Sequence, residues 1–148
     1  TEEAIAYLER VAGHKQVQIR QEVIKGLISI GGKKAAVLLT RFLKDHDLDV
    51  QIAAARAITV VQGAGRTEAQ TMTDFLMDRP VNKKENELTI EVIKALEKIG
   101  DRETADFLKR YTRIRWWKPR KPQVELRTVA VAAIETIERK HGDVVRQH

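Results

Sequence analysis

Cysteine is absent from this sequence of 148 residues, and it contains only three prolines and one serine. Without cysteine the chain forms no disulfide bond, no thiolate metal site and no thiol nucleophile. No apolar run reaches the roughly 18 residues that a membrane-spanning helix requires, and no secretory signal opens the chain. Hydrophobic residues still make up 43% of the chain, which is enough for the core of one domain. We therefore expect a folded, cytoplasmic domain.

The residues that usually carry catalysis are few and poorly placed for it. Ser29 lies between two isoleucines within a helical pattern and has no neighbouring histidine. No histidine has the i, i+4 histidine partner of a helical metal site (His14, His46, His141, His148). Asp45 and Asp47 flank His46, but adjacent side chains in a turn do not all converge on one metal ion, and we interpret Asp47 as a helix cap. We expect no enzymatic activity, no metal site and no cofactor.

Internal repetition is the strongest signal in the sequence. Residues 22–31 recur as residues 91–100 with seven of ten positions identical, and weaker copies occupy residues 53–61 and 129–137. The first apolar residues of the four copies are Ile19, Val50, Leu88 and Leu126, so the spacings are 31, 38 and 38 residues. Periods of this length are typical of stacked helical repeats.

Each copy has the apolar spacing of an α-helix rather than the alternation of a strand. The apolar residues of the first copy form one helical stripe (Ile19, Val23, Ile24, Leu27, Ile30). We call these helices A, and each has a small residue where a neighbouring helix can cross closely (Gly26, Ala57, Ala95, Ala133). A shorter helix B is predicted over residues 35–44, 68–77 and 104–111, and residues 2–11 have the same pattern.

Glycine marks the predicted turn from each helix A to the next helix B. Such turns are predicted at Gly31-Gly32, Gly63-Ala64-Gly65 and Gly100-Asp101, because glycine tolerates the left-handed conformation that ends a helix. His141-Gly142-Asp143 has the composition of a further A-to-B turn. Asp101 is predicted to cap the next helix, and the same role is predicted for Thr67 with Gln70 and for Asn82 with Glu85.

The predicted repeats form a single domain of residues 1–148. Their boundaries are a partial repeat at 1–13, followed by 16–45, 47–78, 83–111 and 122–148. Neither end has the polar cap that normally closes an array of repeats. We therefore expect the chain to be a segment of a longer protein.

The packing and turn positions of the repeats carry a family resemblance. The first copy has Ile19-Arg20, Val23-Ile24, Gly26-Leu27 and Ile30-Gly31-Gly32, and similar residues recur from Leu88 and from Leu126-Arg127, whereas Gln51 and Thr89 replace the arginine. This pattern resembles the short bacterial HEAT-like repeats of phycobilin-lyase-like proteins. The resemblance implies an all-α fold, a right-handed α-solenoid of about four HEAT-like helix-turn-helix repeats. It also implies a concave face that is lined by the B helices and binds a partner.

If the resemblance holds, outward positions of the B helices form two ladders across the concave face. The first ladder has apolar and aromatic character (Tyr7, Leu38, Thr71, Phe107), and the second is mainly basic (Arg10, Arg41, Asp74, Arg110). One interpretation is a groove for a protein partner, in which the planar guanidinium groups bind carboxylates. The alternative is that Leu38 and Phe107 pack between repeats and that the arginines are solvated or paired.

The excess positive charge is concentrated in residues 109–121. This segment has seven basic residues and no acidic one, whereas the other 135 residues have 20 basic and 21 acidic residues. The candidate anion-binding residues are six of its cations and both tryptophans of the chain (Lys109, Arg113, Arg115, Trp116, Trp117, Lys118, Arg120, Lys121). Basic and aromatic residues together suit single-stranded nucleic acid or an acidic membrane surface. Alternatively, a tryptophan packs as a wedge between repeats and the cations are solvated.

A second long connection, residues 79–85, lies at the same B-to-A junction one repeat earlier and carries three basic residues. We expect both connections at one edge of the molecule, where they form either a basic rim or ordinary solubilising surface. The interpretation that we favour is a non-catalytic scaffolding module that binds a protein partner on its concave face. The alternative is an anion-binding module for nucleic acid or an acidic membrane surface, acting through residues 109–121.

Overall fold

The chain is all-α in the computed structural model, which describes residues 1–113 and 120–146. These residues form eight α-helices and two 3₁₀ turns and contain no strand. The helices are α1 (Glu2–Val11), α2 (Val17–Ile30), α3 (Gly32–Arg41), α4 (Leu48–Val60), α5 (Arg66–Met77), α6 (Lys83–Ile99), α7 (Arg102–Leu108) and α8 (Lys121–Arg146). The 3₁₀ turns, Phe42–Lys44 and Lys109–Thr112, extend α3 and α7. None of the described helices is both long enough and apolar enough to cross a membrane.

The helices pack in two rows. In the first row α2 contacts α4, α4 contacts α6 and α6 contacts α8; in the second row α1, α3, α5 and α7 contact one another in the same order. The hydrophobic core lies between and along these rows. Val50, Leu88 and Leu126, which begin three of the predicted apolar stripes, have at most 1% of their surface exposed. The prediction of helices from the apolar spacing is therefore confirmed.

Capping side chains mark the starts of α1, α4, α6 and α7. Asp47 accepts hydrogen bonds from the backbone of Asp49 and Val50, and Asn82 and Asp101 each accept one from the backbone three residues later. These three caps confirm their predictions. The cap predicted for Thr67 with Gln70 is wrong, because Thr67 already lies inside α5. There the backbone N–H of Gly65 donates to the Glu68 carboxylate at 2.8 Å.

The glycine turns between the rows are packed against one another. The backbone N–H of Gly32 donates to the carbonyl of Gln62 at 2.8 Å, which joins the turn after α2 to the turn after α4. Gly63 has a φ of 95°, and a Cβ there would lie 2.7 Å from the carbonyl carbon of Gly32. Gly63 is thus required both by its own conformation and by the neighbouring turn.

The turn predicted at His141-Gly142-Asp143 is wrong. Helix α8 continues through these residues to Arg146. A single glycine costs a helix only about 1 kcal/mol relative to alanine. This penalty is too small to end a helix of 26 residues that packs on α6 and α7.

Candidate functional site

The predicted partner-binding residues all lie on the second row or directly after α7. Tyr7 is 58% exposed, and exposed positions are also found for Arg10, Arg41, Thr71, Asp74 and Arg110. Phe107 is half-buried. Leu38 is only 6% exposed and belongs to the hydrophobic core, so it packs between helices as the alternative interpretation had it. The first ladder is therefore not a continuous apolar surface.

Cations and carboxylates are matched where the second-row helices begin, a region that we call the amino-terminal edge. Lys34 on α3 pairs with Glu2 on α1 at 3.0 Å. Arg66 on α5 lies 3.5 Å from the carboxylate of Asp101, which caps α7, and 3.6 Å from that of Glu103. These contacts link neighbouring helices and leave this edge close to neutral.

The opposite end of the second row has a different charge pattern. We call it the carboxyl-terminal edge and define it by charged residues in or just after the last turns of these helices (Arg10, Arg41, Lys44, Asp74, Asp78, Arg110). Here the described residues contain one ion pair between second-row helices, Arg41 with Glu9 at 2.9 Å. For Arg10, Lys44 and Arg110, no carboxylate of the described side chains lies within 4.0 Å.

Aromatic rings replace carboxylates as the neighbours of two arginines on this edge. The guanidinium carbon of Arg10 lies 5.8 Å from the ring centroid of Tyr7. That of Arg110 lies 5.0 Å from Phe107 and 5.9 Å from Tyr111. An exposed cation over an aromatic ring gains about 0.5–1 kcal/mol, and its positive charge is not neutralised. Both guanidinium groups therefore remain available to an anion.

Basic residues near helix carboxyl termini also stabilise the helix dipole, so their presence alone does not indicate a binding site. The difference between the two edges is more informative, because most cations at the amino-terminal edge are paired, whereas several at the other edge have no carboxylate partner among the described side chains. Asp74 interrupts the positive charge and accepts a hydrogen bond from the Gln70 side chain at 3.0 Å. Asp78, directly after α5, is a second exposed carboxylate, and the carboxyl-terminal edge is basic on both sides of these two groups.

An open cleft of about 300 Å³ lies between α1 and α3 at the carboxyl-terminal edge. Its apolar lining comes from Ala12, Leu38 and Phe42. Arg41 and Lys44 line it as well. Lys44 was not among the residues singled out from the sequence, although it follows Arg41 at a spacing of three residues.

A partly buried ion pair forms one wall of this cleft. The Arg20 guanidinium binds both carboxylate oxygens of Asp45, at 2.8 and 2.9 Å, and it also donates to the backbone carbonyls of His14 and Lys15. Burial opposes ionisation of Asp45, but the hydrogen bonds from Arg20 and from the backbone of Asp47 outweigh it and hold the pKa of Asp45 below its usual value. The Asp45 carboxylate is therefore ionised and paired with Arg20, so it is not free to bind a metal ion or another cation.

The described part of the basic segment 109–121 begins as a folded element. Lys109 lies on the 3₁₀ turn and pairs with Asp106 at 2.9 Å, a hydrogen bond that raises the pKa of the Lys109 ammonium group. Tyr111 is buried. Arg113, Arg120 and Lys121 are exposed. The tryptophan hypotheses, with Arg115 and Lys118, fall on residues 114–119, which lie outside the described residues (Arg115, Trp116, Trp117, Lys118).

The connection of residues 79–85 and the basic segment 109–121 end side by side. The Asn86 side chain, near the start of α6, donates to the carbonyl of Pro122 at 3.2 Å and to the carboxylate of Glu125 at 3.1 Å. Of the cations in the earlier connection, Arg79 binds the carboxylate of Glu85 and lies over the ring of Phe75. Arg79 is therefore engaged within the fold, whereas Lys83 and Lys84 are exposed.

No protein-family model, curated protein or solved structure matches this chain significantly.

Proposed function

We propose that this chain is a HEAT-like α-solenoid that serves as a non-catalytic protein-interaction module, and that its carboxyl-terminal edge binds an acidic segment of a partner. The solenoid arrangement is supported by the order of packing, since each helix contacts the helix two positions further along the chain in both rows. A stack of repeats requires such contacts between neighbouring units.

The observation that carries the proposed function is the difference in charge pairing between the two edges. Lys34 and Arg66 are neutralised by neighbouring helices, whereas Arg10, Lys44 and Arg110 have no such partner among the described side chains. Guanidinium groups bind carboxylates with two parallel hydrogen bonds, and an unpaired positive edge accelerates the approach of an acidic partner. An acidic protein segment is therefore the partner that this edge fits best.

The dimensions of the edge suggest the length of that segment. Neighbouring helices pack about 8–10 Å apart, so four helix ends span about 30 Å, which about nine residues of extended chain can cover. A segment of this length reaches from Arg10 at the end of α1 to Arg110 after α7. A binding experiment can therefore use short synthetic peptides.

The test compares two variants that lose the same charge at opposite edges. Fluorescence anisotropy measures the affinity of a labelled glutamate-rich peptide for the wild-type chain, for Arg10→Gln/Arg110→Gln and for Lys34→Gln/Arg66→Gln. We expect the first variant to bind at least about fivefold more weakly, since each exposed charge pair contributes about 0.5–1 kcal/mol. The second variant should bind like the wild type.

Equal loss in both variants would mean that the peptide responds to net charge alone, and would contradict the proposed edge. Duplex DNA serves as the competing probe. Engagement of all seven cations of residues 109–121 would give a slope of about −6 when the logarithm of the affinity is plotted against that of the salt concentration. Strong DNA binding with this slope, together with no binding of the acidic peptide, would favour the anion-binding alternative instead.

A further inference from the structure

The cleft between α1 and α3 combines an apolar floor with a basic rim. Leu38 and Phe42 are 6% and 5% exposed and form the floor together with Ala12. The volume of about 300 Å³ is at the lower end of the range for ligand pockets and accommodates one large side chain. Lys44 and the ion pair of Arg41 with Glu9 stand at the rim.

The walls of the cleft are held in place before any ligand binds. Arg20 is fixed by Asp45 and by two backbone carbonyls, and it is 12% exposed. The His14 ring accepts a hydrogen bond from the backbone N–H of Gln16 at 3.0 Å. A cavity with fixed walls loses little conformational freedom on binding, which favours affinity.

The charges around the cleft favour a ligand that carries an anionic group beside its apolar side chain. The carboxylate of Asp45 is neutralised by Arg20, and that of Glu9 by Arg41. Lys44 lines the cleft and has no carboxylate within 4.0 Å among the described side chains. An apolar side chain flanked by carboxylates therefore matches both the floor and the rim.

We infer that this cleft is an anchor pocket, which receives one large apolar side chain of the acidic partner segment. The inference rests on the proposed function and adds to it the requirement for an apolar residue at one position of that segment. The floor contributes hydrophobic burial, and Lys44 at the rim pairs with a flanking carboxylate. Interfaces commonly concentrate their binding energy in such a buried anchor.

Gly13 is a position at the cleft where a side chain can be added without a clash. It lines the cleft, its φ is not in the left-handed region, and a Cβ added there meets nothing within 4 Å. Gly13→Leu therefore places a side chain at the cleft. Gly142→Leu is the matched control, because Gly142 also has open space at its Cβ and lines a different cleft, beside Arg102.

The experiment uses two labelled peptides of equal charge, one with a single phenylalanine flanked by glutamates and the other with alanine in its place. We expect the wild-type chain and Gly142→Leu to bind the phenylalanine peptide about tenfold more tightly, which is the difference that burial of such a side chain supplies. Gly13→Leu should bind both peptides with the weaker affinity. Calorimetry of the wild type should also give a more negative heat-capacity change for the phenylalanine peptide.

Equal affinity of the wild type for the two peptides would overturn the anchor pocket while leaving the proposed function intact. A preference for phenylalanine that persists in Gly13→Leu would do the same. If neither acidic peptide binds the wild type, both proposals fail. Loss of DNA binding in Gly13→Leu with unchanged peptide binding would assign the cleft to nucleic acid and would also overturn the inference.

Discussion

Gly63 is the residue at which the conformation of one turn and the packing of another coincide. Its φ of 95° lies in the region that favours glycine, and the added methyl group of alanine would lie 2.7 Å from the backbone of Gly32. We expect Gly63→Ala to lower the free energy of unfolding by about 2 kcal/mol or more, because a left-handed alanine alone costs about 1–2 kcal/mol. Urea denaturation followed by circular dichroism measures this change.

Gly13→Ala is the matched control for that substitution, since a Cβ at Gly13 has open space and its φ is not left-handed. It should change stability by only a few tenths of a kcal/mol (on the order of the usual surface substitution). A midpoint for Gly63→Ala that equals that of Gly13→Ala would show that the two glycine turns are not packed as described.

Sequence patterns predict single residues well when the relevant partner is close in the chain. The caps at Asp47, Asn82 and Asp101 were predictable because each bonds to a backbone group two or three residues away. The contact between Gly63 and Gly32 was not, because it depends on how two helix pairs stack. The same holds for the ion pair of Arg20 and Asp45, whose partners are 25 residues apart.

At the scale of elements, the existence of the helices was more predictable than their ends. The apolar spacing identified the buried stripes, but the second-row helices α3 and α7 each end in a 3₁₀ turn that the sequence did not indicate. The wrongly predicted turn at Gly142 is likewise an error about where a helix ends. Glycine ends a helix only where the following residues leave the helical path, and in α8 the backbone continues as a helix to Arg146.

The continuity of α8 leads to a prediction that separates a helix from a turn. Because Gly142 lies inside the helix and a Cβ there meets nothing within 4 Å, Gly142→Ala should stabilise the chain by about 0.5–1 kcal/mol. Thermal denaturation monitored by circular dichroism measures the difference. If Gly142 instead occupied a turn that requires a left-handed residue, the same substitution would lower the melting temperature.

At the scale of the whole molecule, total charge and charge pairing carry different information. The sequence gives a net charge of +6 and locates the excess in residues 109–121, but it does not show which cations meet carboxylates. Lys109, from the basic segment, is paired with Asp106, whereas Arg10 and Lys44, which lie far from that segment in the chain, have no paired carboxylate among the described side chains. The candidate site therefore narrows from the two predicted ladders to one edge of a row of helices.

The two edges should contribute to different properties of the molecule. Lys34→Gln/Arg66→Gln leaves the carboxylates of Glu2, Asp101 and Glu103 without their cations, so we expect it to lower the urea midpoint in low salt. In about 1 M NaCl, where the Debye length is about 3 Å, most of that difference should disappear because exposed pairs are screened. Binding of the acidic peptide should be unaffected at moderate salt, since none of these cations lies at the carboxyl-terminal edge.

A destabilisation that persists unchanged in high salt would mean that packing rather than charge holds the amino-terminal edge together. That result would remove the contrast in charge pairing on which the proposed binding edge depends.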